Sequence, residues 1–187
     1  MSNTSQSGAD THNSPMSPQT QADQDAREQY LWDMRCAVLY DAWVQLRYHR
    51  RRQRFFDLAD KITRSVTIVL GASLFGQFLV PWIALGITAL GLLALIFGYG
   101  DRKQLHGVLA EMASNLIADV EAKPFRDVQQ SDVGAWRAAY ARLCAKAPPP
   151  LKTLTVICAH EQSVADGHPA HVTLPAPWRI VLADFKS

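Results

Sequence analysis

The stretch from Ser65 to Gly100 reads SVTIVLGASLFGQFLVPWIALGITALGLLALIFGYG and contains no acidic residue, no basic residue and no histidine. A helix needs roughly 20 apolar residues to cross the hydrocarbon core of a bilayer, with a workable range of about 17–25. The stretch is therefore long enough for two short spans joined by a turn. It predicts an all-α membrane protein whose membrane-spanning element is a two-helix transmembrane hairpin.

The turn of this hairpin is predicted near the middle of the stretch, where Gly76, Gln77 and Pro81 lie close together. Gln77 is the most polar residue there, and proline cannot donate a helical hydrogen bond. The first span is therefore predicted at 62–79 and the second at 82–99. The alternatives are a buried hairpin in a soluble protein, where so long an uncharged run is rare, and a single tilted span, which Pro81 would interrupt.

Basic residues flank the stretch on both sides. Because positively charged flanks tend to remain in the cytoplasm, both flanks and both termini are predicted to be cytoplasmic, which requires an even number of crossings. The same residues are predicted to contact anionic lipid headgroups, each contributing roughly 1 kcal/mol near the surface. The net charge of +2 does not favour nucleic acid as a partner. These predicted topology and lipid-contact residues are Arg50, Arg51, Arg52, Arg54, Lys61, Arg64, Arg102 and Lys103.

Long cytoplasmic helices are predicted at 25–61 and 101–123, before and after the hairpin. Each carries apolar residues at steps of three and four, which is the spacing of a seam that packs against another helix, as in a coiled coil. The two seams face each other within one chain or face copies of the chain, and the spacing fits both arrangements. The first seam is Trp32, Cys36, Leu39, Trp43 and Leu46, and the second is Leu105, Leu109, Met112, Leu116 and Val120.

The two ends of the chain differ in composition. Residues 1–24 are rich in Ser, Thr, Gln, Asn and Pro, lack an apolar core, and are predicted to form a disordered polar tail. Residues 131–187 are predicted to form a small C-terminal cytoplasmic helical region. Its first helix covers 132–146, with Ser131 or Asp132 as the cap. The segment 151–164 fits a helix or a strand, and the segment 177–185 fits a helix on the membrane surface or a packing helix.

No catalytic motif is recognisable in the sequence: there is no P-loop, no dinucleotide-binding glycine pattern, no HExxH and no nucleophile elbow. The sequence therefore predicts neither an enzyme nor a cofactor. A cluster of thiol and imidazole groups near the C-terminus could ligate zinc, but its spacing matches no structural zinc pattern, which favours polar residues of a surface loop. His106 is predicted to be an ordinary residue beside the membrane. The cluster consists of Cys158, His160, His168 and His171.

The predicted spans contain small and polar residues that suit helix packing or a water path. Small residues allow close helix contact in lipid, either within the hairpin or between copies of the chain. Two helices cannot enclose a water path, so a pore would require a homo-oligomer. The predicted packing residues are Ala72, Gly76, Ala94 and Gly98, and the predicted pore-lining residues are Ser65, Thr67, Ser73, Gln77 and Thr88.

Three segments resemble a known group of bacterial proteins. They are YHRRRQRFFDLADKITRS before the hairpin, GYGDRKQLHGVLAEM after it, and ARLCAKAPPPLKTLTVICAHEQ further on. The arrangement resembles the SLATT family of two-transmembrane domains (SMODS and SLOG-associating 2TM effector domains). Residues 25–123 correspond to the SLATT-like domain. Cys158-Ala159-His160-Glu161 departs from the Cys-x-Asn-Glu of related proteins.

The resemblance implies a function as well as a fold. It implies an effector of the bacterial inner membrane that oligomerises and forms a pore or perturbs the membrane in a defence or conflict system. The trigger would come from a partner, either a sensor or a nucleotide-synthesising enzyme. The alternatives are a membrane-anchored interaction or scaffold protein without pore activity and, third, an enzyme that uses the C-terminal Cys/His cluster.

Overall fold

The structure, a computed structural model, describes residues 18–72, 85–89, 91–92 and 98–176. All regular structure in these ranges is helical, which confirms the predicted all-α class. Residues 85–89 and 91–92 are helical. The longer elements are α1 (Pro18–Ala72), α2 (Tyr99–Glu121), a 3₁₀ turn (Phe125–Asp127), α3 (Gln130–Lys146) and α4 (Lys152–Ala165).

The predicted membrane hairpin lies largely outside the described ranges. α1 covers the first part of the span predicted at 62–79, and only parts of the span predicted at 82–99 are described. Among the helices in the described ranges, none combines the length and the apolar character needed to cross a membrane. The segment predicted at 177–185 also lies outside the described residues.

The start of α1 corrects the predicted boundary of the N-terminal tail. The helix begins at Pro18, so residues 18–24, which were predicted to be disordered, are helical, whereas residues 1–17 are not described. Once a helix is nucleated by packing further along, each added residue gains a hydrogen bond at little cost.

α1 and α2 run antiparallel and share one apolar core. Arg35 donates a hydrogen bond to the Val120 carbonyl at 3.2 Å, whereas further along α1 the Lys103 ammonium lies 2.5 Å from the Asp57 carboxylate. Residues later in α1 thus contact residues earlier in α2. The two predicted seams therefore meet within one chain. The buried core of this pair includes Leu31, Val38, Ala42, Leu46, Leu109, Ala113, Leu116 and Val120.

The first predicted seam is wrong in part. Leu46 is buried, and Leu39 and Trp43 pack against the core, but Trp32 is 46% exposed and Cys36 is exposed. The face that α1 turns toward α2 carries Leu31, Val38 and Ala42 instead, together with Leu46. The second seam is confirmed at Leu109, Met112, Leu116 and Val120, whereas Leu105 remains 40% exposed.

α3 packs against both long helices through the face predicted from sequence. Val133, Trp136 and Leu143 are buried, and Tyr140 packs against the same core. The predicted cap at Ser131 or Asp132 is corrected: Gln129 is the N-cap, and its backbone N–H donates to the Asp132 carboxylate at 2.7 Å. Asp132 thus acts from inside the first turn, where a carboxylate satisfies unpaired N–H groups.

α4 resolves the ambiguity of the segment 151–164 in favour of a helix. Leu154, Ile157 and Cys158 are buried against Val44 and Tyr48 of α1. The Tyr48 hydroxyl accepts a hydrogen bond from the Leu151 N–H at 3.1 Å, just before α4 begins. The strand-like residues of this segment are helical because the apolar face they present matches a groove on α1.

Candidate functional site

Several cations predicted to contact lipid are paired with carboxylates of the chain itself. Three of these pairs lie near the end of α1 that leads into the uncharged stretch. An ion pair between exposed groups adds little stability, but it reduces the charge available to a lipid headgroup. The pairs are Arg51–Glu161 at 3.6 Å, Lys61–Asp57 at 2.8 Å, Arg64–Asp60 at 3.0 Å and Lys103–Asp57 at 2.5 Å. The side chains of Arg50, Arg54 and Arg102 are exposed.

Asp57 links α1 to α2 near the uncharged stretch. Its carboxylate binds Lys61 one turn further along α1 and Lys103 on α2. The hydrogen bond from Lys103, followed by that from Lys61, lowers the pKa of Asp57 to about 2. The carboxylate therefore stays ionised, and the contact between the helices persists, in mildly acidic solution.

The aromatic rings of Phe55 and Phe56 lie near the ion pair between Asp57 and Lys103. The Arg52 guanidinium lies 4.6 Å from the centre of the Phe56 ring and 5.2 Å from that of Phe55. A cation over an aromatic face is attracted by the negative charge on that face. Phe56 in turn stacks on His106, with ring centres 5.6 Å apart and planes 13° apart, and Tyr99 lies 6.4 Å away. Arg52, predicted to contact lipid, is therefore engaged with aromatic rings.

His49 and His106 form a buried pair across the interface of α1 and α2. Their Nδ1 atoms are 2.9 Å apart, and the two residues are 1% and 4% exposed. The prediction of an ordinary membrane-flanking role for His106 is therefore wrong, because its helix position turns it inward. Burial, together with the neighbouring His106, lowers the pKa of His49 to about 4. Burial, with smaller effects from Arg52 and Arg102, lowers the pKa of His106 to about 4.

A cavity of about 260 Å³ lies beside His49, where the chain passes from α3 to α4. Its walls include Gln45 and Tyr48 of α1, Cys144 of α3 and the proline run that follows. The Nε2 atom of His49 is buried and has no hydrogen-bond partner within the described part of the chain. Because Nδ1 of the same ring is bonded to His106, Nε2 lies on the edge that points away from α2.

The residues predicted to line a pore or pack the spans are not brought together in the described ranges. Ser65 is exposed on α1, and the Thr67 hydroxyl donates to the Thr63 carbonyl at 2.8 Å. Thr88 is exposed. Gly98 has a φ of 52° and precedes α2, so it forms a turn rather than a packing surface. Ala72 ends α1, and the remaining predicted positions, Ser73, Gly76, Gln77 and Ala94, lie outside the described residues.

The C-terminal thiol and imidazole residues serve packing and loop structure. Cys158 is fully buried, and the Nδ1 atom of His160 lies 2.8 Å from the Val172 carbonyl oxygen. The His168 N–H donates to the Ser163 carbonyl at 2.8 Å, and the His171 ring lies 6.4 Å from that of Tyr40. Across the described residues, no three His, Cys, Asp or Glu side chains are grouped so as to hold a metal ion.

The sequence carries a signal for the histidine pair that is not a catalytic motif. His49 follows Leu46 by three positions, and His106 precedes Leu109 by three, so both continue the buried face of their helix. Two imidazoles that share a hydrogen bond can take up and pass on a proton. No family model matches the chain, and neither a curated protein nor a solved structure does.

Proposed function

We propose that the protein is an effector of the bacterial inner membrane. In this proposal the chain inserts a hairpin into the bilayer, oligomerises, and forms a pore or perturbs the membrane in a defence or conflict system. A sensor or a nucleotide-synthesising partner supplies the trigger. The observation that carries the proposal is the antiparallel pairing of α1 and α2, whose adjoining ends flank the uncharged stretch from Ser65 to Gly100.

The exposed surface at the end of α1 supports contact with lipid. Ile62, Ile68 and Val69 are 55%, 71% and 64% exposed. Burying apolar surface is favourable by about 25 cal/mol per Å², and a group of large exposed apolar side chains is typical of a surface that contacts a partner or a membrane. Lys61 and Arg64 lie among them and are held by carboxylates one turn earlier.

Oligomerisation is needed for any pore in this proposal. Two helices have no interior, and the polar residues Ser65 and Thr67 face outward or bond their own helix. Copies of the hairpin would have to assemble so that such residues face a shared path. Anionic lipid remains the proposed headgroup partner, with Arg50, Arg54 and Arg102 as the exposed cations.

Dye release from vesicles tests this function. The full chain is added to vesicles of anionic lipid that contain a self-quenched dye, and release is compared with that caused by Ile68→Asp and Ile68→Leu. A carboxylate at the centre of a span costs about 2.5–3.5 kcal/mol, whereas leucine is neutral. Ile68 is exposed, so neither change disturbs the described core.

With a triggering partner present, we expect release by the wild type and by Ile68→Leu, and at least tenfold slower release by Ile68→Asp. If no preparation releases dye with any partner tested, the pore function is wrong. If the aspartate variant releases dye as fast as the wild type, insertion at this end of α1 is wrong.

A second candidate is a membrane-anchored interaction or scaffold protein. It is favoured by the separate core that α1, α2 and α3 form away from the uncharged stretch. Replacing residues 65–97 with an unrelated hairpin separates the two functions. A scaffold keeps its cellular activity after this exchange, whereas an effector that acts through its own spans loses it.

A further inference from the structure

The hydrogen bond between His49 and His106 depends on the number of protons the pair holds. A neutral imidazole has one N–H and one lone pair, so one Nδ1 donates and the other accepts across the 2.9 Å gap. After one proton is added to the pair, one of the two Nδ1 atoms still has a lone pair, so the hydrogen bond persists. A second added proton turns both Nδ1 atoms into donors, so the bond breaks and two buried cations face each other.

Two arginines near the pair, Arg52 and Arg102, oppose this charge. On α1 the pair faces Tyr48, whose ring centre is 5.2 Å from that of His49, and Arg52 above Phe56. On α2 it faces Arg102, which with Arg52 disfavours protonation of His106. On α3 the thiol-bearing Cys144 lines the cavity beside His49, and the three prolines that precede α4 carry no titratable group. Asp57 lies further along α1 and is engaged by two lysines.

The cavity supplies a path for the proton. His49 lines it, and the unpartnered Nε2 lies on the ring edge that faces away from α2. Cys144, which lines the same cavity, is exposed, so the cavity is open to water. When Nδ1 of His49 is the donor, the buried Nε2 holds a lone pair, and a proton delivered from the cavity binds there without loss of the bond to His106. The next proton must go to Nδ1 of His106, and it breaks the bond.

We propose that the hydrogen bond between His49 and His106 is a proton-operated latch between α1 and α2. The protons that open this latch reach His49 through the cavity beside it. In the neutral state the latch holds the two helices together next to the uncharged stretch. In the doubly protonated state the histidines repel each other, and the helices separate at this level while Asp57 still binds Lys61 and Lys103. Control of the hairpin by the latch rests on the proposed membrane function, but the latch itself does not.

The separation of α1 from α2 can be measured by electron–electron double resonance. Spin labels are attached at Arg50→Cys and Val108→Cys, two exposed positions beside His49 and His106, in a full chain with Cys36→Ser, Cys144→Ser and Cys158→Ala. Distances are recorded at pH 7.5 and pH 4 in detergent. We expect a narrow distribution at pH 7.5 that broadens and shifts to longer distances at pH 4. Because the pKa of Asp57 is about 2, its ion pairs do not titrate in this range.

His106→Gln is the decisive variant. The amide oxygen of the new glutamine accepts a hydrogen bond from Nδ1–H of His49 whether His49 is neutral or protonated. The interface between α1 and α2 therefore forms, but it does not open at pH 4. His49→Gln leads to the same expectation by the same reasoning and serves if the first variant does not fold. His168→Gln, in the loop after α4, is the matched control and should respond as the wild type does.

A wild-type distance that is unchanged at pH 4, or glutamine variants that open as the wild type does, would overturn the latch. Dye release is measured on the same samples. Opening without release at any pH contradicts the pore function and leaves the latch standing. Release that is equal at both pH values and in the glutamine variants contradicts control of the hairpin by the latch and leaves the pore function standing.

Discussion

His49 and His106 show how a position on a helix face decides what a side chain does. Each continues the buried face of its helix, and there each loses contact with water and gains one partner. An uncharged imidazole tolerates this burial, whereas a charged one is penalised by it. Phe56, stacked on His106, leaves little room for water to stabilise the charged form. The pair is therefore neutral near pH 7.

The first prediction concerns the pH dependence of stability. Because the pKa of each histidine is lowered from 6.5 to about 4, the unfolded chain binds more protons than the folded chain between these values. Stability is therefore fully present well above pH 6.5 and declines as the pH falls through 4, by at most roughly 3–4 kcal/mol per histidine.

Urea unfolding of the full chain in detergent, followed by circular dichroism at pH 7.5, 6 and 5, checks this dependence. The double variant His49→Gln/His106→Gln should show a flatter profile, and carboxylates contribute equally to both proteins. His168→Gln should keep the wild-type slope. A steep profile in the double variant would show that other groups cause the acid sensitivity.

At the scale of single elements, the start of α2 is set by Gly98. Its φ of 52° lies in the left-handed region, and its carbonyl accepts a hydrogen bond from the Arg102 N–H at 3.1 Å. The chain thus enters α2 through a conformation that glycine adopts without strain. Gly98, near the end of the span predicted at 82–99, therefore forms a turn, and α2 begins at Tyr99.

Gly98→Ala is predicted to destabilise the fold by about 1 kcal/mol, because a Cβ makes the left-handed conformation unfavourable. Gly100→Ala is the matched control. Gly100 lies inside α2 with open space around its Cα, so alanine there should stabilise the helix by about 0.5–1 kcal/mol. Thermal unfolding of both variants measures the two effects. Equal effects of the same sign would contradict the turn assigned to Gly98.

At the scale of the whole molecule, one apolar core joins α1, α2 and α3. Leu109 of α2 is fully buried in it, together with Val133 and Leu143 of α3. α4 adds a separate small core on α1 around Leu154. The described helices therefore form a bundle held by burial, to which the ion pairs near the uncharged stretch add little.

Leu109→Ala is predicted to lower the free energy of unfolding by about 2–5 kcal/mol, because it leaves a cavity where several helices meet. Leu105→Ala, one turn earlier on α2 and 40% exposed, should change it by less than about 0.5 kcal/mol. Denaturant unfolding of both variants provides the comparison. Similar losses from both would mean that Leu105 is buried against another surface, for example that of a second copy.

The sequence by itself determined the helical class, the face of α2 that packs, the face of α3 that packs, and the position of the uncharged stretch. These follow from local properties: the spacing of apolar residues, the places of glycine and proline, and the absence of charge over a long run. The membrane hairpin and its oligomer stay predictions, since most of the uncharged stretch lies outside the described residues.

Only the tertiary structure decided which face of α1 is buried, how the segment 151–164 folds, and what the histidines and basic residues contact. The spacing predicted a face with Trp32 and Cys36, whereas the structure buries Val38 and Ala42 against α2. Arg51 and Lys103 meet carboxylates that are distant in sequence. His49 and His106 are likewise far apart along the chain, and only antiparallel packing of α1 and α2 places their imidazoles within one hydrogen bond.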